Sequence, residues 1–223
     1  MRRPLPLLLA LATALVVALA IALIVGRPSS GGSSSSRSAT ATHAASASGF
    51  DGAPLPGGRI APGFTLTDQR GRRVSLADYR GRVVVLTFLY SRCGATCILI
   101  AQQIRGALEE LHRPPAVLIV SADPAADTHA SVARFLEEVS LSGRVEYLTG
   151  PPSSLRAVWR AYGITPASAS RATFDRFASI LLLDAQGRER VLFQSEVLTP
   201  ESLSHDIGRL DGEPTHPDTL AAR

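Results

Sequence analysis

Cys93 and Cys97 are the only cysteines of the 223-residue chain, and they stand four apart in Phe88-Leu89-Tyr90-Ser91-Arg92-Cys93-Gly94-Ala95-Thr96-Cys97. An apolar run gives way there to sequence with helical spacing. Positions i and i+4 of a helix share a face about 5–6 Å apart, so both sulfurs point the same way. The pair is either a redox dithiol or a two-thiolate seat for a soft metal. A disulfide between them is feasible with some local distortion. Cys93 falls near the expected helix start, where unpaired backbone N–H groups and the helix dipole favour a thiolate, the form that attacks disulfides and binds metal. A purely structural staple would close a very short loop and constrain the unfolded chain little.

The elements that must position this pair follow from the hydrophobic pattern. Phe64–Asp68 and Arg73–Leu76, separated by Gln69-Arg70-Gly71-Arg72, predict a short hairpin. Arg82–Tyr90 is continuous and Val-rich, the pattern of a strand covered on both faces. Leu99, Ile100, Ile104, Leu108 and Leu111 recur at helical spacing before Pro114-Pro115. A buried strand over Ala116–Val120 follows, then a helix marked by Val132, Phe135, Leu136 and Val139. Val145–Leu148 is a short strand, and Leu155, Val158, Trp159 and Tyr162 define a third helix stopped by Gly163. A hairpin joins Ile180–Leu183 to Val191–Phe193, and a last helix opens at Thr199-Pro200-Glu201. The order predicts an α/β, thioredoxin-like fold: a central mixed sheet flanked by helices, with an N-terminal hairpin.

The ends read differently. Met1-Arg2-Arg3 precedes an apolar stretch from Pro4 to Val25, long enough at about 20 residues to span a bilayer. Residues 1–27 are expected to be a retained transmembrane anchor, its arginines held in the cytoplasm and the rest of the chain outside. A cleaved signal peptide ending near Ala18-Leu19-Ala20 is the alternative. Residues 28–58, rich in Ser, Ala and Gly, form the expected flexible tether. Residues 59–211 make one domain, and 212–223 a polar tail. The expected location is a bacterial plasma membrane, single-pass, with the domain on the periplasmic side. There thiols tend to oxidise, so a close pair is kept as a disulfide, cycled by a reductant or protected by metal.

The net charge of +4 says little about partners. Four arginines and no acidic residue precede Phe50, leaving 19 basic against 19 acidic residues from there on. A formally neutral domain with interleaved charges gives no nucleic-acid face. Every basic residue is an arginine, since the chain has no lysine.

Ala61-Pro62-Gly63-Phe64-Thr65-Leu66-Thr67-Asp68, Val74-Ser75-Leu76 and Tyr79-Arg80-Gly81 resemble the opening hairpin shared by peroxiredoxin-like, thioredoxin-like and Sco proteins. Thr87 to Cys97 resembles the Sco (SenC) signature, an aromatic-rich strand running into Cys-Pro-x-x-Cys-Pro. Val120 to Thr128, and Leu148-Thr149-Gly150 through Ala161-Tyr162-Gly163, are similar to later segments of that family. The likeness covers about Ala61 to Leu210. It implies a membrane-tethered copper protein that matures the CuA site of cytochrome c oxidase. Its partners would be the CuA-bearing subunit and a thiol reductant or copper donor, with no nucleic acid.

Two departures matter. Gly94 and Ile98 replace the signature prolines. Counting back from Asp184-Ala185-Gln186-Gly187, the family's copper-ligating histidine falls on Arg176, after Asp175. Cys93 and Cys97 alone suit Cu(I) over Cu(II), which prefers imidazole nitrogen. His43, His112, His129, His205 and His216 are expected to face solvent. Arg176 beside the dithiol would lower the cysteine pKa and repel a cation; facing solvent, it would do neither. The expected function is therefore Cu(I) binding, thiol–disulfide exchange or both, with an oxidoreductase that carries no copper as the alternative. A peroxidase usually places Thr three residues before its reactive Cys, where this chain has Tyr90. A scaffold that only docks onto the oxidase would tolerate loss of both cysteines.

Overall fold

The computed structural model describes residues 48–212. The expected anchor, most of the tether and nearly all of the tail lie outside them. No helix among the described residues is long and apolar enough to cross a membrane.

Strands β1 (Ala53–Pro54), β2 (Thr65–Thr67) and β3 (Arg73–Ser75) come first, with a 3-10 turn at Leu76–Tyr79. They are followed by β4 (Val84–Leu89), helix α1 (Ala95–Glu110), β5 (Ala116–Ser121), α2 (His129–Glu138), β6 (Glu146–Leu148) and α3 (Pro152–Tyr162). Helix α4 (Arg171–Phe177), β7 (Ser179–Leu183), β8 (Glu189–Gln194) and α5 (Pro200–Asp211) complete the domain. The six-stranded sheet has the order β1-β8-β7-β4-β5-β6, and β2 pairs only with β3. Strand β4 runs parallel to β5 and antiparallel to β7, and β5 runs parallel to β6, so the sheet is mixed as expected.

β4 and β5 are central because every residue of both is buried, which requires a covered sheet on both faces. α1 lays Ile100, Ala101, Ile104, Ala107 and Leu108 on the core. The helices start where their caps dictate: the Thr128, Ser170 and Thr199 hydroxyls each accept a backbone N–H of the first turn. α3 stops at Gly163, whose φ of 67° is left-handed.

The opening hairpin is fixed by a carboxylate. Asp68 accepts the backbone N–H groups of Arg70 (2.9 Å) and Arg72 (2.8 Å) and the Arg72 guanidinium (2.8 Å), which also reaches Glu146 on β6. Burial pushes the Asp68 carboxyl up, but the bonds from Arg72 and Arg70 outweigh it and hold the group below its ordinary value.

Two elements differ from expectation. The domain begins before residue 59, because Phe50 is buried and β1 pairs with β8 through Ala53 and Pro54. The buried Asp206 carboxylate on α5 accepts the N–H groups of Asp51 and Gly52, both at 2.9 Å. A Cβ on Gly52 would lie 2.5 Å from Val191 Cγ1, so only glycine lets the chain pass there. A helix, α4, also occupies part of the segment between Gly163 and Ile180, for which the hydrophobic pattern predicts no element.

Candidate functional site

The cysteine pair sits where β4 gives way to α1. Tyr90 continues β4 into the core, and its carbonyl accepts the Cys93 N–H at 3.1 Å. Gly94 is the N-cap of α1 and supplies no side-chain bond, so no side chain of the cap competes for the first N–H groups. Cys97 lies in the first turn. The two cysteines form a disulfide with a Cα–Cα separation of 5.6 Å, inside the ordinary range. Cys97 is completely buried and Cys93 is 9% exposed, which makes Cys93 the outer sulfur. On reduction, its thiolate sits at the positive end of a 16-residue helix.

The segment before Cys93 is held by a residue whose role the sequence did not reveal. Asp127 Oδ1 accepts the Ser91 N–H at 2.6 Å. Its Oδ2 accepts the Ser121 hydroxyl at 2.6 Å and the Tyr147 hydroxyl at 2.9 Å. Three elements, the cysteine loop, β5 and β6, thus converge on one buried carboxylate. Burial raises the Asp127 pKa, and the bonds from Ser121, Ser91 and Tyr147 oppose that rise. Burial also pushes the Tyr147 phenol well up, reinforced by the charge of Asp127. A second tie runs from the Ser91 hydroxyl to the Ala126 carbonyl at 3.1 Å.

α4 covers the other side of the loop. Phe174 packs edge-on against Tyr90 with ring centroids 5.3 Å apart, and the Arg171 guanidinium lies 5.8 Å over the Tyr90 ring. Burial raises the Tyr90 phenol pKa, the charge of Asp175 adds to the rise, and Arg171 counters it. Asp175 Oδ1 is a buried oxygen with no hydrogen-bond partner. Arg176 is exposed, and among the described residues no hydrogen bond, ion pair or ring contact reaches it. The arginine brought against the cysteine loop is Arg171.

No described histidine completes a metal site at the cysteines. His112 and His129 are exposed. His205 is also exposed but bonded, its Nδ1 lying 2.9 Å from Asp206 Oδ1. Asp51, His205 and Asp206 form the one candidate metal cluster among the described residues, away from the cysteines where the chain before β1 meets α5. His43 and His216 fall outside the described residues.

A mixed sheet with a cysteine pair at the N-terminus of its first long helix defines a thioredoxin-like domain with a disulfide-bonded cysteine pair. The SCO1/SenC family model matches residues 53–210, and the chain belongs to that family. The mitochondrial SCO2 homologue of Bos taurus is 30% identical over 106 residues, covering 45% of this chain and 39% of that protein. Putative peroxiredoxin Rv2521 of Mycobacterium tuberculosis is 33% identical over 109 residues, covering 49% of this chain and 66% of that protein. The copper-bound structure of Bradyrhizobium japonicum ScoI superposes with a TM-score of 0.54 and 28% identity, over 68% of this chain and 99% of the other.

Proposed function

We propose that this chain is a membrane-tethered Sco protein on the extracytoplasmic side of a bacterial plasma membrane, maturing the CuA site of cytochrome c oxidase by thiol–disulfide exchange through Cys93 and Cys97. Sco proteins act in cytochrome c oxidase assembly. The observation that carries the exchange chemistry is the pair itself: a nearly buried outer sulfur and a fully buried inner one, bonded to each other at a helix N-terminus.

The step balances as follows. The reduced Cys93 thiolate attacks one sulfur of a disulfide on the oxidase subunit, forming a mixed disulfide and releasing the other partner sulfur as a thiolate. The Cys97 thiolate, formed as its proton passes to solvent, attacks Cys93 Sγ. This restores the Cys93–Cys97 bond and leaves the partner as a dithiol. An external dithiol reductant then returns the pair to the reduced state. Asp127 positions this chemistry by fixing Ser91, two residues before Cys93. A peroxidase reading fits less well, because the position three before Cys93 is Tyr90, enclosed by Phe174 and Arg171.

Copper enters as cargo. In the reduced state Cys93 and Cys97 present two thiolates, a donor set that fits Cu(I). No described imidazole lies at the pair to favour Cu(II). Anaerobic competition of the reduced full chain against a Cu(I) chelator, with the reduction potential of the pair measured alongside, tests both parts. The expected result is a reducing potential, one Cu(I) lost in Cys93→Ser, and weak Cu(II) binding. Tight Cu(II) binding with imidazole ligation in the wild type would contradict the reading.

A further inference from the structure

The domain is formally neutral, and its arginines divide into those that pair with carboxylates and those without an ion pair. Arg59, Arg72, Arg105, Arg144 and Arg190 all pair with carboxylates. Arg92 next to Cys93, Arg156 and Arg160 on α3, and Arg171 and Arg176 on α4 are exposed, and none forms an ion pair among the described residues. Arg92 precedes Cys93, and Arg171 and Arg176 belong to α4, which packs on Tyr90. Arg156 and Arg160 stand one turn apart on α3 and line a cleft of about 530 Å³. The opposing carboxylates here are Asp123, which lines the same cleft, and Asp175; both act on Tyr90.

The cleft floor is apolar. The Trp159 ring contributes to it, its indole N–H already committed to the Ser121 carbonyl at 2.9 Å, and Pro124, Ile164 and Pro166 form its walls. Its rim is the loop that Ser91 binds through Ala126 and Asp127, so cleft and cysteine loop are tied together by hydrogen bonds. A small anion needs no apolar floor, and a purely apolar segment would leave the guanidinium pairs unused. An extended polypeptide bearing carboxylates uses both, because guanidinium groups bind carboxylates through two parallel hydrogen bonds.

We infer that the Arg156–Arg160 cleft and the arginines around Cys93 form a docking surface for an acidic, extended segment of the polypeptide whose disulfide Cys93 attacks. This rests on the exchange reaction proposed above. Complementary charge then raises the rate of encounter and fixes which disulfide is presented.

The test uses the reduced full chain in detergent and two synthetic peptides carrying the same disulfide, one flanked by glutamates and one by glutamines. The glutamate peptide is expected to be reduced about tenfold faster at low salt, with the two rates converging at high salt. Arg156→Gln with Arg160→Gln lowers the glutamate rate several-fold and leaves the glutamine rate unchanged. Equal rates for the two peptides, or a double variant that slows both alike, overturn the proposal. If neither peptide is reduced, the exchange reading fails, and the surface is judged by binding of a cysteine-free glutamate peptide to Cys93→Ser. A Kd unchanged by the arginine substitutions overturns it. So does displacement of that peptide by inorganic phosphate but not by chloride of equal ionic strength, which would assign the arginines to a small anion.

Discussion

Replacing Asp127 with alanine will cost about 3 kcal/mol of folding stability at neutral pH. The change removes the acceptor of three donors, the Ser91 N–H and the Ser121 and Tyr147 hydroxyls. Bonds to a charged acceptor contribute about 1.5–3 kcal/mol each. Against that sum, removal of a buried carboxylate recovers several kcal/mol of desolvation. Tyr147 also keeps a long contact to the Leu89 carbonyl at 3.4 Å, whereas the Ser91 N–H has no other acceptor among the described residues. Asp127→Asn retains Oδ1 for Ser91 and turns an amide toward the two hydroxyls, so its cost is about 1 kcal/mol. Urea unfolding of the oxidised chain, extrapolated to water, measures both. The pH dependence has a fixed sign. Because the folded pKa of Asp127 lies above the 3.8 of the free group, the folded state binds the proton more tightly. That stabilisation is complete below 3.8 and is lost as pH rises through the folded pKa. The cost of Asp127→Asn therefore shrinks as pH rises across this window. An Asp127→Ala cost under about 1 kcal/mol, or an Asp127→Asn cost that grows with pH, would refute the reasoning.

Asp68 has the opposite linkage. Its folded pKa lies below 3.8, so its contribution is present above 3.8 and lost as pH falls through the folded value. Asp68→Asn is expected to cost about 2 kcal/mol at neutral pH and to flatten the acid limb of a circular-dichroism titration. Asp175→Asn removes a charge that raises the Tyr90 phenol pKa and will lower it in an ultraviolet titration, while Arg171→Gln will raise it. Gly52→Ala drives a methyl group into Val191 and Phe193. It is expected to cost about 1–3 kcal/mol and to speed hydrogen exchange at the Leu55 N–H, which donates to the Arg190 carbonyl.

Much of the architecture was legible in the chain because burial on both faces leaves an unmistakable pattern. The unbroken apolar runs of β4 and β5 located the centre of the sheet, and the helical stripe after Cys97 located α1. α4 escaped notice because only Phe174 of its seven residues is buried, and one buried side chain makes no periodicity. β1 escaped because two residues pair through the backbone, and Phe50 and Gly52 act through tertiary contact in a Ser- and Ala-rich stretch. At the site, the spacing of Cys93 and Cys97 was enough to predict the pair. Asp123 and Asp127 look equivalent in sequence. Only the approach of Ser121 and Tyr147 makes Asp127 the buried acceptor, and pairing of that kind between β5 and β6 is long-range information. Arg176 is exposed on α4, and the position over the Tyr90 ring belongs to Arg171.

The central claim is that Cys93 attacks and Cys97 resolves. Full-length Cys97→Ser and Cys93→Ser variants, each incubated with membranes bearing the oxidase and quenched with acid, test it by non-reducing electrophoresis and mass spectrometry. Cys97→Ser is expected to accumulate a mixed disulfide between Cys93 and the CuA-bearing subunit, because the resolving sulfur is gone, while Cys93→Ser forms none. A mixed disulfide trapped through Cys97 in Cys93→Ser, or none in either variant, would contradict the account.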